Sequence, residues 1–472
     1  MTLNRSEFAD RRVAILGMAR TGMAAAPVLR DLGAHVVLSD SESGPRLNGR
    51  LAEAKGFGVE VRPGASPDEA LSGAEIVIPS PGIPRDAPIL QLARLRGLTI
   101  LSEIEVAYRI CQAPILAVTG TNGKTTTTML LGEIMRAAGK KTWVAGNIAA
   151  DEIKQSLITA ANQAMPNDAI VAEISSFQLE WVEHFRPAVG ILTNITPDHL
   201  NRHRNFAEYA LCKERLFAAQ SPEDVAVLNA VNAPSRRIGG NINSRLFWFD
   251  RGNCGRSDSA CVQNGRIVVR WNGEENVLCR VDELQIPGMH NLENALAAAG
   301  AAISFGVDPE TVAEALKAFR GVVHRMEPVA TVDGVLYVNN SMCTNVDAGI
   351  RSLEAMSRPT VLIAGGVDKN GDFSQLGSVI SRAQPGVRRL ILIGQAAPLI
   401  ESAARDAGFD AISHASSMEE AVRMASGIAQ QGDAVMLSPS CASFDMFVDF
   451  EARGEAFRQA VRNLKTTEVQ GG

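Results

Sequence analysis

The sequence lacks any long apolar run. No stretch of its 472 residues approaches the roughly 18 consecutive apolar residues that a membrane-spanning helix needs. The first residues, MTLNRSEFADRR, contain no apolar core of the kind a signal peptide requires. We therefore expect a cytoplasmic protein with no membrane span.

CxxC pairs and an excess of positive charge are also absent. Seven cysteines are scattered between Cys111 and Cys441, which suits neither a disulfide framework nor a structural zinc site and predicts reduced thiols. The net charge of -6 does not favour a nucleic-acid partner. With 46% hydrophobic and 21% charged residues, the composition is that of an ordinary globular protein.

Strand-like apolar runs alternate with helical patterns almost throughout, which predicts an α/β fold with parallel sheets covered by helices. Three sections each begin afresh with a buried strand, so we predict three domains, at residues 1–112, 113–326 and 327–472. The first and third are expected to be Rossmann-like. Two Asn-Gly turn signals in CVQNGRIVVRWNGEENVLC predict a small antiparallel patch in the second.

The stretch ILAVTGTNGKTTTTMLL, residues 115–131, predicts a strand, a tight glycine loop and a helix in succession. Backbone N–H groups in such a loop and at a helix N-terminus point at a bound anion, which the helix dipole also favours. Lys124 adds a cation, and Thr125 adds a hydroxyl for a phosphate-bound Mg²⁺. Val118 occupies the position of the first glycine in GxxxxGK[ST], so only the shorter core of that motif is present.

A second glycine loop, GMARTG at residues 17–22, follows the first strand and precedes Asp40 at the end of the next strand. It resembles a dinucleotide fingerprint, but Ala19 replaces the middle glycine, where the backbone must approach a pyrophosphate. NAD, another nucleotide diphosphate and a packing turn all remain open for this loop. SPGIP, residues 80–84, lies at another strand end and could close over the same ligand.

Further polar residues follow buried strands. Glu173 and His199 are expected at the carboxyl edge of the central sheet, where ligands of doubly wound sheets bind. Glu173 could then bind Mg²⁺ together with Thr125, although an acid at a helix N-terminus is the alternative. In the third section, Lys369 in GGVDKNGDF could bind an anionic group, and Ser443 could cap a helix or hold a carboxylate.

In its order, the series of motifs resembles the Mur ligase family, the ATP-dependent amino-acid ligases of peptidoglycan synthesis. The resemblance runs nearly end to end, through TGTNGKTT, GNI, EISSFQLE, TNITPDHLNRH, GMHNLENALAA, HRME, GGVDKNGDF and LSPSCASFDMFVDFEARGEAF. Within the family, EISSFQLE, SPGIP and CASFDMF are most similar to the D-glutamate-adding branch.

The resemblance implies a UDP-binding domain, a central ATPase and an amino-acid-binding domain in a monomer. ATP, with two Mg²⁺ ions, would phosphorylate the carboxylate of UDP-MurNAc-L-Ala, and the amine of glutamate would attack the acyl phosphate. It further implies that Lys213 is carbamylated and holds the second ion with His199, whereas the sequence alone would make Lys213 an ordinary helix-surface residue.

The site residues implied by the resemblance fall into overlapping groups. The ATP contacts are Gly120, Asn122, Gly123, Lys124, Thr125, Thr126, Asn291, Asn294 and Arg325. The UDP-sugar contacts are Thr21, Asp40, Ser80, Gly82 and Asn147. The glutamate contacts are Thr344, Lys369, Ser443 and Phe450. The metal ligands are Thr125, Glu173, His199 and Lys213. The catalytic residues are Lys124, His199, Lys213, Arg325 and Lys369.

The chain departs from the family pattern in NNSMCTN. Asn340 stands where the family has an aspartate that binds ribose, and Met342 stands where it has a lysine near the reacting groups. Asn201 likewise replaces a usual aspartate. A changed amino-acid preference, including L-glutamate over D-glutamate, therefore stays open.

Three other functions also stay open. A folylpolyglutamate synthase-like ligase would share the acyl-phosphate chemistry, but it would be expected to begin directly with the ATPase domain. An NAD-dependent oxidoreductase built on GMARTG would leave Lys124, Glu173 and Lys213 unexplained. A non-catalytic nucleotide sensor would bind ATP without forming an amide.

Overall fold

The computed structural model describes residues 5–44, 47–147, 155–199, 202–252, 255–286, 288–368 and 371–467. These residues form three sheets within two compact units. The first unit comprises residues 1–195, 207–281 and 295–317, and the second comprises residues 196–206, 282–294 and 318–472. None of the described helices is long and apolar enough to cross a bilayer.

The first sheet is parallel and has helices between its strands. Its elements are β1 (Arg12–Leu16), α1 (Arg20–Asp31), β2 (His35–Asp40), α2 (Asn48–Gly56), β3 (Glu60–Pro63), α3 (Pro67–Ala70), β4 (Ile76–Pro79), α4 (Pro88–Leu95), β5 (Thr99–Ile100) and α5 (Glu103–Ile110). The strand order is β3-β2-β1-β4-β5. The carboxyl ends of β1, β2 and β4 therefore lie side by side, which brings the loops after them together.

The second sheet has nine strands. Its first elements are β6 (Ile115–Thr119), α6 (Lys124–Ala137), β7 (Thr142–Gly146), α7 (Leu157–Gln163), β8 (Ala169–Glu173), β9 (Val189–Leu192) and α8 (Phe206–Glu214). They are followed by β10 (Val225–Asn229), α9 (Ala233–Gly239), β11 (Arg245–Phe249), β12 (Ser259–Gln263), β13 (Arg266–Trp271), β14 (Glu274–Arg280), α10 (Met289–Ser304) and α11 (Pro309–Ala318). The order β14-β13-β12-β11-β10-β9-β6-β8-β7 puts β6, which is buried along its whole length, between β8 and β9.

The predicted antiparallel patch is confirmed in β12, β13 and β14. Both hairpin turns have two residues with positive φ, as a type I′ turn requires. Asn264 and Gly265 have φ of 49° and 72°, and Asn272 and Gly273 have φ of 54° and 83°. The turn chemistry read from the sequence thus sets the register of this edge.

A buried carboxylate joins the first two sheets within the first unit. Glu105 on α5 is fully buried and accepts hydrogen bonds from the backbone N–H groups of Glu183, His184 and Phe185, at 2.9 to 3.1 Å. Arg109 Nε donates to the same carboxylate at 2.8 Å. These N–H donors offset part of the cost of burying the charge.

The third sheet begins with β15 (Glu327–Val332) and ends with α16 (Phe450–Thr467). Between them lie β16 (Val335–Asn339), α12 (Val346–Glu354), β17 (Thr360–Gly365), α13 (Phe373–Arg382), β18 (Val387–Ile393), α14 (Ala397–Asp406), β19 (Ile412–His414), α15 (Met418–Ile428) and β20 (Ala434–Leu437). The order is β15-β16-β20-β17-β18-β19, and only the β15–β16 pair is antiparallel among the pairings described.

Both faces of this third sheet are covered. Along β17, Val361 and Ile363 pack into one apolar cluster, whereas Leu362 and Ala364 pack into another. This alternation is the period of two of a strand with a core on each side. The α/β fold class is confirmed, and each sheet falls inside one of the three predicted ranges.

Candidate functional site

The glycine loop after β6 forms as predicted. Gly120 has a φ of 148°, and a Cβ there would lie 1.9 Å from Thr193 Oγ1, so no larger residue fits. Gly123 has a φ of 85° and is the N-cap of α6. The loop is anchored from β9, because Thr121 N donates to Asn194 O at 2.8 Å and Asn122 N donates to Asn194 Oδ1 at 3.0 Å. The loop therefore presents the first turn of a 14-residue helix to any anion bound there.

Lys124 folds back over this loop. Its Nζ donates to Gly120 O at 3.1 Å and to Thr121 O at 2.9 Å. The ammonium is thereby kept beside the backbone that would surround a phosphate, where a positive charge offsets phosphate charge.

Thr125 and Glu173 meet beneath the loop. Thr125 Oγ1 donates to Glu173 Oε2 at 2.7 Å, and Asn147 Nδ2 lies 3.3 Å from Glu173 Oε1. Thr125 is 8% exposed and Glu173 is 3% exposed. A carboxylate and a hydroxyl are the hard oxygen donors that Mg²⁺ prefers, and phosphate oxygens would complete its octahedron. The pair fits one Mg²⁺ ion.

Lys213, on α8, is 1% exposed rather than a surface residue. Its Nζ donates to Gly120 O at 2.8 Å and approaches Thr119 Oγ1 at 3.5 Å. Its ammonium lies 4.7 Å from the centre of the Tyr209 ring, whose hydroxyl is 3.0 Å from Thr121 Oγ1. The structure therefore brings Lys213 to the glycine loop.

The loop after β1 is built around Gly17. Asp40 Oδ2 accepts a 2.7 Å hydrogen bond from Met18 N, and Ser80 Oγ lies 3.3 Å from Gly17 O. A Cβ on Gly17, whose φ is 98°, would lie 2.6 Å from Ser80 Oγ. Asp40 and Ser80, both predicted to contact a UDP-sugar, thus converge on this loop. Thr21 lies in the first turn of α1, and Gly82 lies in the turn after β4.

The GMARTG loop after β1 also contacts the second sheet. Arg20, at the start of α1, donates from Nη2 to Gly146 O at the end of β7. Gly146 directly precedes Asn147, which is both a predicted UDP-sugar contact and a partner of Glu173. The predicted UDP-sugar site and the predicted ATP site are therefore connected by two contacts, that of Arg20 with Gly146 and that of Asn147 with Glu173.

In the second unit, Arg325 lies beside Met342, with Nη1 3.9 Å from Sδ. Asn294 Nδ2 donates to Asn291 Oδ1 at 3.2 Å, so the two predicted adenine contacts are neighbours on one face of α10. Asn340 is 5% exposed, and its side chain accepts from Met326 N at 3.1 Å and donates to Ser438 Oγ at 3.2 Å. Asn340, which follows β16, thus links the residue before β15 to the residue after β20.

The predicted glutamate pocket is supported by a buried arginine that the sequence analysis did not single out. Arg453, which is 1% exposed, donates to Ser341 O at 2.8 Å and to Cys441 O at 3.1 Å. Burial lowers its pKa to about 10. Because Thr344 and Ser443 lie two to three residues beyond these acceptors, Arg453 fixes both of the segments that carry them.

A pattern in the sequence could have located Arg453. Phe450, Phe457 and Val461 lie three, four and eight positions from it along α16, so it falls on the apolar stripe of that helix. Phe450 is partly buried, and its carbonyl accepts from Ser341 Oγ at 2.7 Å. Lys369 lies outside the described residues, as does Asn201.

His199 belongs to the second unit, whereas Thr125, Glu173 and Lys213 belong to the first. His199 has a φ of 53°, and its N–H donates to Asp198 Oδ1 at 2.9 Å. Among the described residues, no group of three or more His, Cys, Asp or Glu is placed to hold a metal ion.

The six cysteines in the described part of the chain are all buried thiols rather than disulfide halves, as predicted.

Three family domains match the chain in sequence order. They are the N-terminal domain of MurD-like Mur ligases at residues 11–102, the Mur ligase middle domain at residues 118–302 and the Mur ligase glutamate ligase domain at residues 324–441.

Relatives match over almost the whole chain. A protein of Pelotomaculum thermopropionicum named UDP-N-acetylmuramoylalanine--D-glutamate ligase is 43% identical over 97% of this chain and 99% of its own length. A protein of the same name from Koribacter versatilis is 39% identical over 97% and 98%.

Solved structures share the fold at lower identity. The UDP-N-acetylmuramate-alanine ligase of Thermotoga maritima superposes with a TM-score of 0.59 at 20% identity, covering 97% of this chain and 99% of its own. A type C pseudomurein peptide ligase of Methanothermus fervidus gives 0.60 at 18% identity, covering 96% and 100%. The domain matches and the near full-length relatives lead to one conclusion: the chain belongs to the Mur ligase family.

Proposed function

We propose that this protein is the ATP-dependent ligase that joins D-glutamate to UDP-N-acetylmuramoyl-L-alanine in peptidoglycan precursor synthesis. The observation that carries the proposal is the buried Thr125–Glu173 pair beside Lys124 at the start of α6. The relatives at 39 to 43% identity, which bear this activity in their names, support the choice of substrates.

The chemistry explains why a phosphate loop is needed. A carboxylate has no leaving group, so its carbon resists attack by an amine. Transfer of the γ-phosphoryl group of ATP to the carboxylate of the L-alanyl residue gives an acyl phosphate and ADP. The amine of D-glutamate then attacks the acyl carbon, loses a proton, and expels inorganic phosphate as the amide forms.

The loop residues would stabilise the charge of this transfer. Lys124 would turn from the carbonyl groups of Gly120 and Thr121 to the β- and γ-phosphates of ATP. The backbone amides of Gly123 and Thr126 and the side chain of Asn122 would bind the same phosphates. Thr125 and Glu173 would hold Mg²⁺, which neutralises phosphate charge when it is bound. Preorganised charge of this kind usually contributes about 100- to 1000-fold to the rate for each group.

Lys213 is proposed to carry a carbamate that helps to hold a second Mg²⁺ ion together with His199. A carbamate nitrogen keeps one N–H, so the bond to Gly120 O can persist while the new carboxylate extends beyond it. The burial of Lys213 against the phosphate loop supports this role, since a plain structural lysine is seldom buried so completely.

The remaining contacts are proposed by residue. Thr21, Asp40, Ser80, Gly82 and Asn147 would bind the UDP-sugar, and the convergence of Asp40 and Ser80 on Gly17 supports that assignment. Asn291 and Asn294 would contact adenine, and Arg325 the γ-phosphate. The incoming glutamate would contact Thr344, Lys369, Ser443 and Phe450.

The organisation of the protein is part of the same proposal. Three domains, at residues 1–112, 113–326 and 327–472, would bind UDP, ATP and the amino acid respectively. The protein is proposed to act as a monomer. It is proposed to lie in the cytoplasm, because ATP and the nucleotide-linked substrate are available there.

Phosphate release tests the function directly. Purified protein is incubated with ATP, Mg²⁺ and UDP-MurNAc-L-Ala, in parallel with D-glutamate, L-glutamate or no amino acid. Release only with D-glutamate, with one amide formed for each phosphate, is expected. Release only with L-glutamate would overturn the proposed stereochemistry, and ATP binding without release would favour a nucleotide sensor.

A further inference from the structure

One helix end in the second unit contacts both the loop of His199 and the segment that carries Thr344. Asn345 is the N-cap of α12, and its Oδ1 accepts from Ala348 N at 2.8 Å. Its Nδ2 donates to Asp198 Oδ2 at 3.2 Å, across 147 positions of sequence. The same side chain therefore caps the helix and reaches the neighbouring loop.

Asp198 in turn holds His199. Its Oδ1 accepts from His199 N at 2.9 Å, and its Oδ2 lies 3.6 Å from His199 Nε2. The side chain of Asp198 is 10% exposed. His199 has a φ of 53°, in the left-handed region that non-glycine residues adopt uncommonly. The Asp198 carboxylate contacts both the backbone N–H and the ring of His199 in this conformation.

A second contact joins the same two elements. Thr196 Oγ1 donates to Asp347 Oδ2 at 3.2 Å, and Asp347 also accepts from Arg351 Nε at 3.1 Å. Arg351 Nη1 lies 3.8 Å from Glu293 Oε2. In the sequence, Glu293 lies between Asn291 and Asn294, the predicted adenine contacts. The first turns of α12 thus contact both the His199 loop and the start of α10.

We propose that Asn345 is a positioning residue that links occupation of the amino-acid pocket to the placement of His199. The inference rests on the proposed function, which gives Thr344 and His199 their roles. A glutamate bound to Thr344 fixes the backbone that carries Asn345, and Asn345 holds Asp198 in the orientation that His199 requires. By thermodynamic reciprocity, the bound amino acid then raises the affinity of the protein for the metal, and the bound metal raises its affinity for the amino acid, by the same factor.

Coupling is measured by titrating the protein and ADP with Mn²⁺, followed by electron paramagnetic resonance, with and without D-glutamate. In the unsubstituted protein, D-glutamate is expected to tighten Mn²⁺ binding by about 5-fold or more, the lower end of ordinary allosteric coupling. Calorimetry of D-glutamate with and without Mn²⁺ should give the same factor. No change in Mn²⁺ affinity would overturn the inference.

Asn345→Ser separates the two functions of the side chain. Serine is a good N-cap but is too short to reach Asp198, so α12 keeps its cap while the contact is lost. Coupling is expected to fall to about 1-fold, with a raised KM for D-glutamate and an unchanged affinity for UDP-MurNAc-L-Ala. The pair Asn345→Asp with Asp198→Asn reverses donor and acceptor and should restore part of the coupling that Asn345→Asp alone abolishes.

Ser417→Ala is the matched control. Ser417 is the N-cap of α15, and its side chain accepts a hydrogen bond from Glu420 N at 3.2 Å, so the substitution removes a helix cap elsewhere in the second unit. It should leave coupling intact. Coupling that survives in Asn345→Ser, or that Ser417→Ala reduces equally, would overturn the inference. Asn345→Asp, which keeps an N-cap and removes the donor to Asp198, serves as the test if Asn345→Ser fails to fold, and coupling that survives in it would equally overturn the inference. Failure of the unsubstituted protein to form product with D-glutamate would instead refute the proposed function.

Discussion

Thr125 donates a 2.7 Å hydrogen bond to Glu173, 48 positions away, and both side chains are buried under the glycine loop. The hydrogen bond keeps the two oxygens side by side, where both can bind one cation. It also gives the carboxylate a donor, which offsets part of the cost of its burial. Substitution of either residue should therefore alter both the metal requirement and the stability of the protein.

Thr125→Val and Thr125→Ser form a matched pair. Valine keeps the shape of threonine but removes the hydroxyl, whereas serine keeps the hydroxyl. Thr125→Val is expected to lower kcat by about 100-fold and to raise the Mg²⁺ concentration for half-maximal activity. Loss of the donor to Glu173 should also cost about 1–3 kcal/mol of stability without ligand. Mg²⁺ titrations of phosphate release check this, and an unchanged Mg²⁺ requirement in Thr125→Val would remove Thr125 from the metal site.

Lys124→Ala should lose at least about 100- to 1000-fold in activity, because it removes a preorganised positive charge from the phosphate loop. Its Nζ donates to the carbonyl groups of Gly120 and Thr121, so thermal unfolding of the variant is measured alongside activity to separate a loss of catalysis from a loss of folding. Lys140→Ala, an exposed substitution just after α6, is the control and should remain active. Near-normal turnover of Lys124→Ala would contradict the role given to the loop.

Lys213→Ala should be largely inactive, and a small carboxylate such as formate should restore part of its activity by replacing the carbamate. The substitution leaves space beside Gly120 O, where the buried amine now lies at 2.8 Å. Lys124→Ala is the control, because a carboxylate cannot replace a lost cation. Full activity of Lys213→Ala without any carboxylate would show that the reaction does not depend on this residue.

The fold was predictable where its signals are local. The glycine loop, the three sheets and the two hairpin turns each depend on a short run of residues, such as Asn264-Gly265, whose preferred backbone angles decide the structure. The burial of Lys213 could be inferred only from the family resemblance. Its surroundings come from Gly120 and Thr119, more than 90 positions away, and periodicity within α8 carries no information about them.

Long-range packing adds features that no local signal in the sequence indicates. Residues 196–206 and 282–294, which lie between strands of the second sheet and β15 in sequence, belong to the same compact unit as the third sheet. Contacts such as that between Asp198 and Asn345 explain this grouping. The apolar stripe of α16 indicates that Arg453 is buried, but no sequence pattern marks its acceptors, which are the backbone carbonyl groups of Ser341 and Cys441.

The carboxyl group of Glu103 makes the stability of the protein depend on pH. It lies fully inside the first unit, where burial raises its pKa to about 7 against the partial effects of the Ile158 N–H, at 2.7 Å, and of Arg20. In the unfolded chain the same group titrates near 4.5. Between these values the folded state binds more protons than the unfolded state, so the stability contributed by this group falls as pH rises from 4.5 through 7.

Glu103→Gln keeps an oxygen to accept from Ile158 and stays neutral at every pH. Its stability relative to the unsubstituted protein should therefore be greater at pH 8 than at pH 5, by roughly 2 to 3 kcal/mol. Urea denaturation at the two pH values measures the difference. Glu53→Gln, the same substitution at an exposed position, is the control. An equal effect of Glu103→Gln at both pH values would mean that Glu103 ionises in the folded protein as readily as in the unfolded chain, and that the charge of Arg20 and the Ile158 N–H fully compensate its burial.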